Sequence, residues 1–342
     1  MEAPPTSVYA GAMDGPFLSF AEQALHYFNR EHEDVRREPL ATPAAWRGTD
    51  LSRRRDWTVA LTTADVAEIE HALAAVNMRH VAMGAMRRED FPLPTLAPRV
   101  AEWRRELTDG RGFLVVRGLP VARWDEDDAA RAFWGLGLHL GRPGAQNPEN
   151  ELLGHVVDTG EDGANPFVRR YRTAGTIAYH CDLADVVGLL CLRTAKSGGA
   201  SRIVSSVSVY NELLRRRPDL VARLYDPFRL DRRDEHGSGV PWVPVVPCRY
   251  AKGTLRTFYH SDYFRSAVRH PDVPPFTEDE RDLLDLYEAI ANEPELYLDM
   301  QFAPGDIQLV SNHLILHART AYEDHAEPAR KRHLLRLWLS LA

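Results

Sequence analysis

Hydrophobic and polar positions change their rhythm twice along the chain. Residues 37–60, rich in Arg, Pro and polar side chains, show no period and read as irregular. A helical period follows: Val66, Ile69, Leu73 and Val76 recur on one face, and Thr62 with Asp65 three residues on supplies a capping signal. The run FPLPTLAP at 91–98 interrupts the pattern, and a second helix is predicted near 99–108. From GFLVVRG at 112–118 the rhythm shortens. Compact apolar runs bounded mostly by Gly, Pro or Ser predict strands at 112–118, 186–193, 202–209, 254–260, 306–310 and 333–339. Helices are predicted at 126–139 and 278–291; Thr277 and Glu280 start the latter, and Leu283, Leu284, Leu286, Tyr287 and Ile290 form its apolar side.

Strands and helices do not alternate regularly, which disfavours a doubly wound parallel sheet. The pattern predicts a sheet closed on itself or folded into two layers, with helices outside and the early helices covering one side. No repeat, heptad or low-complexity linker is present.

Composition narrows the function. Lys and Arg number 42 against 49 Asp and Glu, a net charge of −7, which argues against a general nucleic-acid binder. Three cysteines are too few for a disulfide scaffold and are not spaced as a metal motif. The N-terminus lacks the basic start and apolar core of a signal peptide, and no apolar run approaches the roughly 20 residues of a membrane span. A cytoplasmic protein without nucleic-acid or membrane partners is expected; a homo-oligomer is allowed.

Candidate chemistry sits in two stretches. In AGTIAYHCDLADVVGLLCLRTAKSGGASRIVSS, His180 and Asp182 are two apart, so in extended backbone they share a side, while Tyr179 and Cys181 point away and pack. Imidazole plus carboxylate suits a divalent transition metal, although an isolated HxD triplet is more often a polar pair. In APGDIQLVSNHLILHARTAYEDHAEPARKRHLLRLWLS, His313, His317, His325 and His333 are candidates for a third ligand, and spacing alone does not choose among them. One of them would complete a two-His, one-carboxylate facial triad of the kind that leaves positions open on non-haem Fe(II). Arg332 and Arg336 share a strand face, and two inward guanidinium groups require anions. An arginine fork matches a carboxylate; a pair of acidic side chains or an exposed edge would satisfy them equally. A metal triad beside a carboxylate clamp suits a dicarboxylate chelating the metal at one end. The polar, turn-rich segment 141–160 with Gln146 and Asn147, and Arg172 in the cluster at 169–172, are candidates for the substrate mouth. His260, in TFYHSDYF, reads as a structural histidine.

The order and flanks of YHCD, KSGGASRIVSS, PGD, NHLILHART and RKRHLLRLWL resemble the taurine dioxygenase-like (TauD/TfdA) branch of the Fe(II)/2-oxoglutarate-dependent dioxygenases, over about 111–339. The resemblance implies a mainly β fold with peripheral helices, a double-stranded β-helix or jelly roll of clavaminate synthase-like type. It implies an N-terminal extension at 1–110 packed on an oxygenase core at 111–342 with insertions. It implies Fe(II) on His180, Asp182 and His317, with His313 as a neighbour that packs. Arg332 matches the arginine that pairs with the remote carboxylate of 2-oxoglutarate, Ser201 stands where the family has an assisting Thr, and Arg336 matches a second arginine near the chelating end. The implied reaction uses O₂ and 2-oxoglutarate as co-substrates, releases succinate and CO₂, and oxidises an unactivated C–H bond of a small organic substrate, a specialised metabolite or modified amino acid. Asp182 favours hydroxylation or another oxidative outcome over halogenation, since halogenating relatives carry a small residue there. Two other readings compete. A catalytically silent protein binding a small carboxylate or metal would leave a complete ligand set idle. A zinc hydrolase on the same ligands lacks an HExxH helix and leaves both arginines unexplained.

Overall fold

The computed structural model describes residues 15–161, 168–233 and 239–341. Its backbone is a seven-stranded sheet facing a four-stranded one. The larger sheet runs in the order Thr58–Ala60, Phe113–Arg117, Ile307–Ser311, Val186–Arg193, His333–Ser340 and Arg142–Gly144, with Gly154–Val156 also pairing His333–Ser340. Its pairings are antiparallel except the first. The smaller sheet runs Tyr297–Met300, Ser201–Ser205, Ile315–Arg319 and Ile177–His180.

Alternation along the strands sorts the two faces of the large sheet. Leu114, Val116, Leu190, Leu309, Leu335, Leu337 and Leu339 pack with helices Thr63–Met78, Ala97–Thr108 and Glu126–Leu140. Phe113, Val115, Val187, Val310 and Trp338 face the other way, in one core with Ile203, Ile315 and Leu316 of the small sheet and helices Ser206–Arg216 and Glu278–Ala291. The capping signals form as the sequence predicts. The Asp65 carboxylate accepts the Thr62 N–H at 2.7 Å, and the Glu280 carboxylate accepts that of Thr277 at 2.7 Å. Each thereby satisfies an orphan donor at its helix start.

The expectation of a mainly β protein built on a double-stranded β-helix is corrected. The architecture is mixed α/β: 34% of residues are helical against 24% in strands, and among the described residues no sheet closes into a barrel. Helices occupy stretches that short-range patterning assigned to strand or to irregular chain. The apolar run at 202–209 divides at Ser205, whose hydroxyl accepts the Ser208 N–H at 3.0 Å and starts the helix Ser206–Arg216. Within the segment expected to be irregular, Gly48–Ser52 is helical and Thr58–Ala60 is a strand parallel to Phe113–Arg117. Its ladder partners come from half a hundred residues away, beyond the reach of a local period.

Asp185 fastens both ends of the described chain to this frame. Its buried carboxylate accepts from Arg30 at 2.6 Å and the Leu341 N–H at 2.8 Å, and pairs with His26 at 2.8 Å and His313 at 2.7 Å. Burial alone would raise its pKa, but the hydrogen bonds from His26 and His313 and the Arg30 charge outweigh that and hold it well below the usual carboxylate range. The sign follows: stability from this group is present above the unfolded carboxyl pKa of about 3.9 and is lost as pH falls toward the depressed folded value. Asp185→Asn is expected to lower stability by about 3–5 kcal/mol, the range for breaking a buried ion pair. Urea unfolding checks it: the gap from wild type should be constant above about pH 5 and shrink below about pH 4. A gap that does not change with pH would remove the electrostatic explanation.

Candidate active site

The space between the two sheets holds a cavity lined by residues of both. One wall carries Val187, Leu189, Leu334 and Arg336 of the large sheet; the other carries Ile177, His180, Ser201, His317 and Arg319 of the small one.

Three potential ligands meet there. His180 and His317 are direct partners across the antiparallel ladder, so their side chains emerge on one face with ring centroids 4.2 Å apart. Asp182 follows His180 just beyond the strand end and turns back between them: its carboxylate oxygens lie 3.9 Å from His180 Nε2 and 3.8 Å from His317 Nε2. The carboxylate is fixed from behind. Trp338 Nε1–H donates to Asp182 Oδ2 at 3.0 Å and Arg336 Nη1 at 3.3 Å. Asn312 ties the turn, accepting the Asp182 N–H at 3.2 Å and donating to Ala184 O at 2.8 Å. His180 Nδ1 lies 3.0 Å from Ala178 O, which places a proton on Nδ1 and turns Nε2 toward Asp182.

Electrostatics favour a cation here. Burial would raise the Asp182 pKa, but the Arg336 guanidinium and the two imidazoles hold it well below the usual range, so it is a carboxylate. Burial and the neighbouring His180 push His317 down to about 3, so its ring is neutral near pH 7. Two imidazoles and one carboxylate, mutually within 4.8 Å, are a donor set one first-row ion can bridge. A second such cluster among the described residues is Glu126, His155 and His333. There Arg193 donates to His333 Nδ1 at 2.9 Å, and His155 Nδ1 lies 2.9 Å from His333 Nε2. Both nitrogens of His333 are thus engaged, next to a fixed positive charge that opposes a metal.

The cavity wall also carries buried cations. Arg332 is 5% exposed and its Nη1 has no hydrogen-bond partner. The turn that brings Ser201 beside it needs glycine: Gly198 and Gly199 have φ of +74° and +69°, and a Cβ on Gly199 would sit 3.1 Å from Arg332 Nε. Ser201 Oγ donates to Gln308 Oε1 at 3.0 Å, and to assist a bound carboxylate its single O–H would turn from Gln308 to that carboxylate.

The remaining sequence candidates separate. Gln146 is buried, and its Oε1 accepts from Arg336 Nε at 2.8 Å. Asn147 closes a turn with Glu151, and Arg172 pairs with Glu161 at 3.6 Å and stacks on Tyr171; neither lines the cavity, whereas Tyr171 does. His313 is stacked on Tyr27 and bonded to Asp185, away from the triad. Cys181 and Tyr179 are buried in the core. His260 stacks on Tyr263 with centroids 3.8 Å apart and its ring lies 5.1 Å from that of His180. Sequence reasoning missed Trp338 and Arg319. The alternation that paired Arg332 with Arg336 extends to Trp338, and Arg319 stands two residues after His317, on the same face.

The chain is similar to known proteins along most of its length. The family described as "Taurine catabolism dioxygenase TauD, TfdA family" matches residues 78–338. FR-33289 synthase of Streptomyces rubellomurinus is 30% identical over 321 residues, covering 90% of this chain and 92% of that protein. Taurine hydroxylase-like protein SAT17 of Stachybotrys chartarum is 29% identical over 306 residues, covering 86% and 77%. Among solved structures, an asparagine oxygenase bound to Fe(II), hydroxyasparagine and succinate superposes with a TM-score of 0.66 at 20% identity, covering 83% of this chain and 93% of that one. The non-heme iron oxygenase OrfP bound to Fe and alpha-ketoglutaric acid superposes at 0.62 with 13% identity, covering 83% and 94%. At those identities the likeness is one of fold.

Proposed function

Because the chain belongs to the TauD/TfdA family and is an Fe(II)/2-oxoglutarate-dependent dioxygenase, we propose that the cavity between its sheets is the active site, with His180, Asp182 and His317 holding the iron. The observation that carries this reading is the convergence, in one cavity, of that donor set and a buried arginine with an unsatisfied donor. Bound Fe(II) supplies O₂ activation coupled to oxidative decarboxylation of 2-oxoglutarate, so that substrate C–H, O₂ and 2-oxoglutarate give alcohol, succinate and CO₂.

The chain's own residues bind and orient. Arg332 receives the remote carboxylate of 2-oxoglutarate, assisted by the Ser201 hydroxyl. Arg336, held by Gln146, keeps Asp182 ionised and faces the chelating end. Val187, Leu189, Phe302 and Leu334 give the cavity apolar walls, which strengthen these charge contacts and exclude water. With Asp182 present, halogenation is disfavoured, and the product we expect is an alcohol. The substrate is a small organic molecule, a specialised metabolite or modified amino acid. What supports this class is the company the chain keeps: a synthase, a taurine hydroxylase-like protein and an asparagine oxygenase. We also propose an extension at 1–110 packed on an oxygenase core at 111–342, and a cytoplasmic location. In support, among the described residues no helix is long and apolar enough to cross a membrane, and the net charge is −7.

The test is purified protein with Fe(II), O₂, 2-oxoglutarate and a panel of amino acids and specialised metabolites. Succinate is expected to rise mole for mole with one oxidised product. Substrate oxidation without any 2-oxoglutarate consumption would contradict the reading.

A further inference from the structure

One buried cation on the cavity wall has no role in the account so far. Arg319 is 5% exposed, stands directly opposite Ser201 in the ladder and shares its strand face with His317. Its guanidinium carbon lies 4.8 Å from the Tyr322 ring centroid, and that of Arg332 lies 5.1 Å from the same ring. Nη2 of Arg319 donates to the carbonyls of Thr173 and Gly175; Nε and Nη1 have no hydrogen-bond partner. Among the described residues no side-chain carboxylate is within ion-pair distance of Arg319 or Arg332.

Two neighbouring guanidinium groups buried with open donors are costly unless an anion meets them. Holding two main-chain carbonyls uses one nitrogen; it does not account for the other two. We propose that Arg319 is a second anchor for the remote carboxylate of 2-oxoglutarate, which bridges it to Arg332; this rests on the reading of the cavity given above. The same guanidinium grips the segment leading into Ile177–His180, so the bound carboxylate also braces the approach to His180. The site thereby selects 2-oxo acids with an anionic far end.

Ligand truncation separates anchoring from scaffolding. Protein loaded with Fe(II) under argon is titrated calorimetrically with 2-oxoglutarate and with 2-oxovalerate, which keeps the chelating end and replaces the far carboxylate by methyl. Arg319→Gln is expected to weaken 2-oxoglutarate roughly 10–100-fold, the scale of a charge-assisted hydrogen bond, and to leave 2-oxovalerate unchanged. Equal weakening of both ligands, or no change in either, would overturn the proposal. Arg332→Gln is run in parallel. If Arg332→Gln alone erodes the discrimination, Arg319 is not an anchor and the cavity reading stands. If neither does, the remote carboxylate lies elsewhere and both fail. Should Arg319→Gln not fold, Arg319→Lys keeps the charge without the fork: a several-fold loss of discrimination supports the anchor, and undiminished discrimination excludes it.

Discussion

Asp182→Ala is expected to reduce coupled turnover to background and to weaken Fe(II) binding by more than the roughly 10–100-fold that loss of a residue behind a metal ligand costs. Asp182 carries the only negative charge of the triad, and it is the acceptor for both Trp338 and Arg336. Its removal leaves a buried guanidinium, 8% exposed as a residue, beside two imidazoles, a site that repels a cation. Anaerobic Fe(II) titration and circular dichroism should together show a folded protein with a weakened metal site. Unaltered metal affinity in the alanine variant would remove Asp182 from the ligand set.

Arg332→Leu is expected to cost about 2–5 kcal/mol in co-substrate binding, the range for truncating one partner of a buried charge pair. That corresponds to roughly 30-fold to several-thousand-fold in affinity. The side chain lies beside Ser201 and Tyr322, and its Nη1 has no hydrogen-bond partner. Ser201→Ala removes one neutral hydrogen bond, worth about 0.5–1.5 kcal/mol, so its effect should be clearly smaller. Titration of 2-oxoglutarate into Fe(II)-loaded protein measures both. Equal effects of the two substitutions would mean that the carboxylate does not rest on Arg332.

Much of the site was legible because it obeys short periods. His180 and Asp182 two apart, Arg332 and Arg336 on one strand face, and the Gly198–Gly199 turn before Ser201 are local patterns, and they lie around one cavity. Helix starts at Thr62 and Thr277 were legible for the same reason, since each cap and its reciprocating carboxylate are three residues apart. The balance of helix and strand was not, because an apolar run such as 202–209 suits either until Ser205 caps a helix within it. Distances across the chain were also hidden. Nothing near Asp185 announces that His26 and Arg30, more than 150 residues earlier, will meet it. Choosing His317 over His313 required the family resemblance, since both lie in one apolar segment. The structure separates them by giving His313 to Asp185 and His317 to the cavity.

The most direct measurement is a crystal structure of the protein grown or soaked under argon with Fe(II) and 2-oxoglutarate, with anomalous data at the iron edge. The account predicts a single strong anomalous peak, within roughly 2.0–2.3 Å of His180 Nε2, an Asp182 oxygen and His317 Nε2, with the far carboxylate of 2-oxoglutarate against Arg332. A peak on Glu126, His155 and His333 instead, or 2-oxoglutarate bound with its far carboxylate away from Arg332, would contradict it.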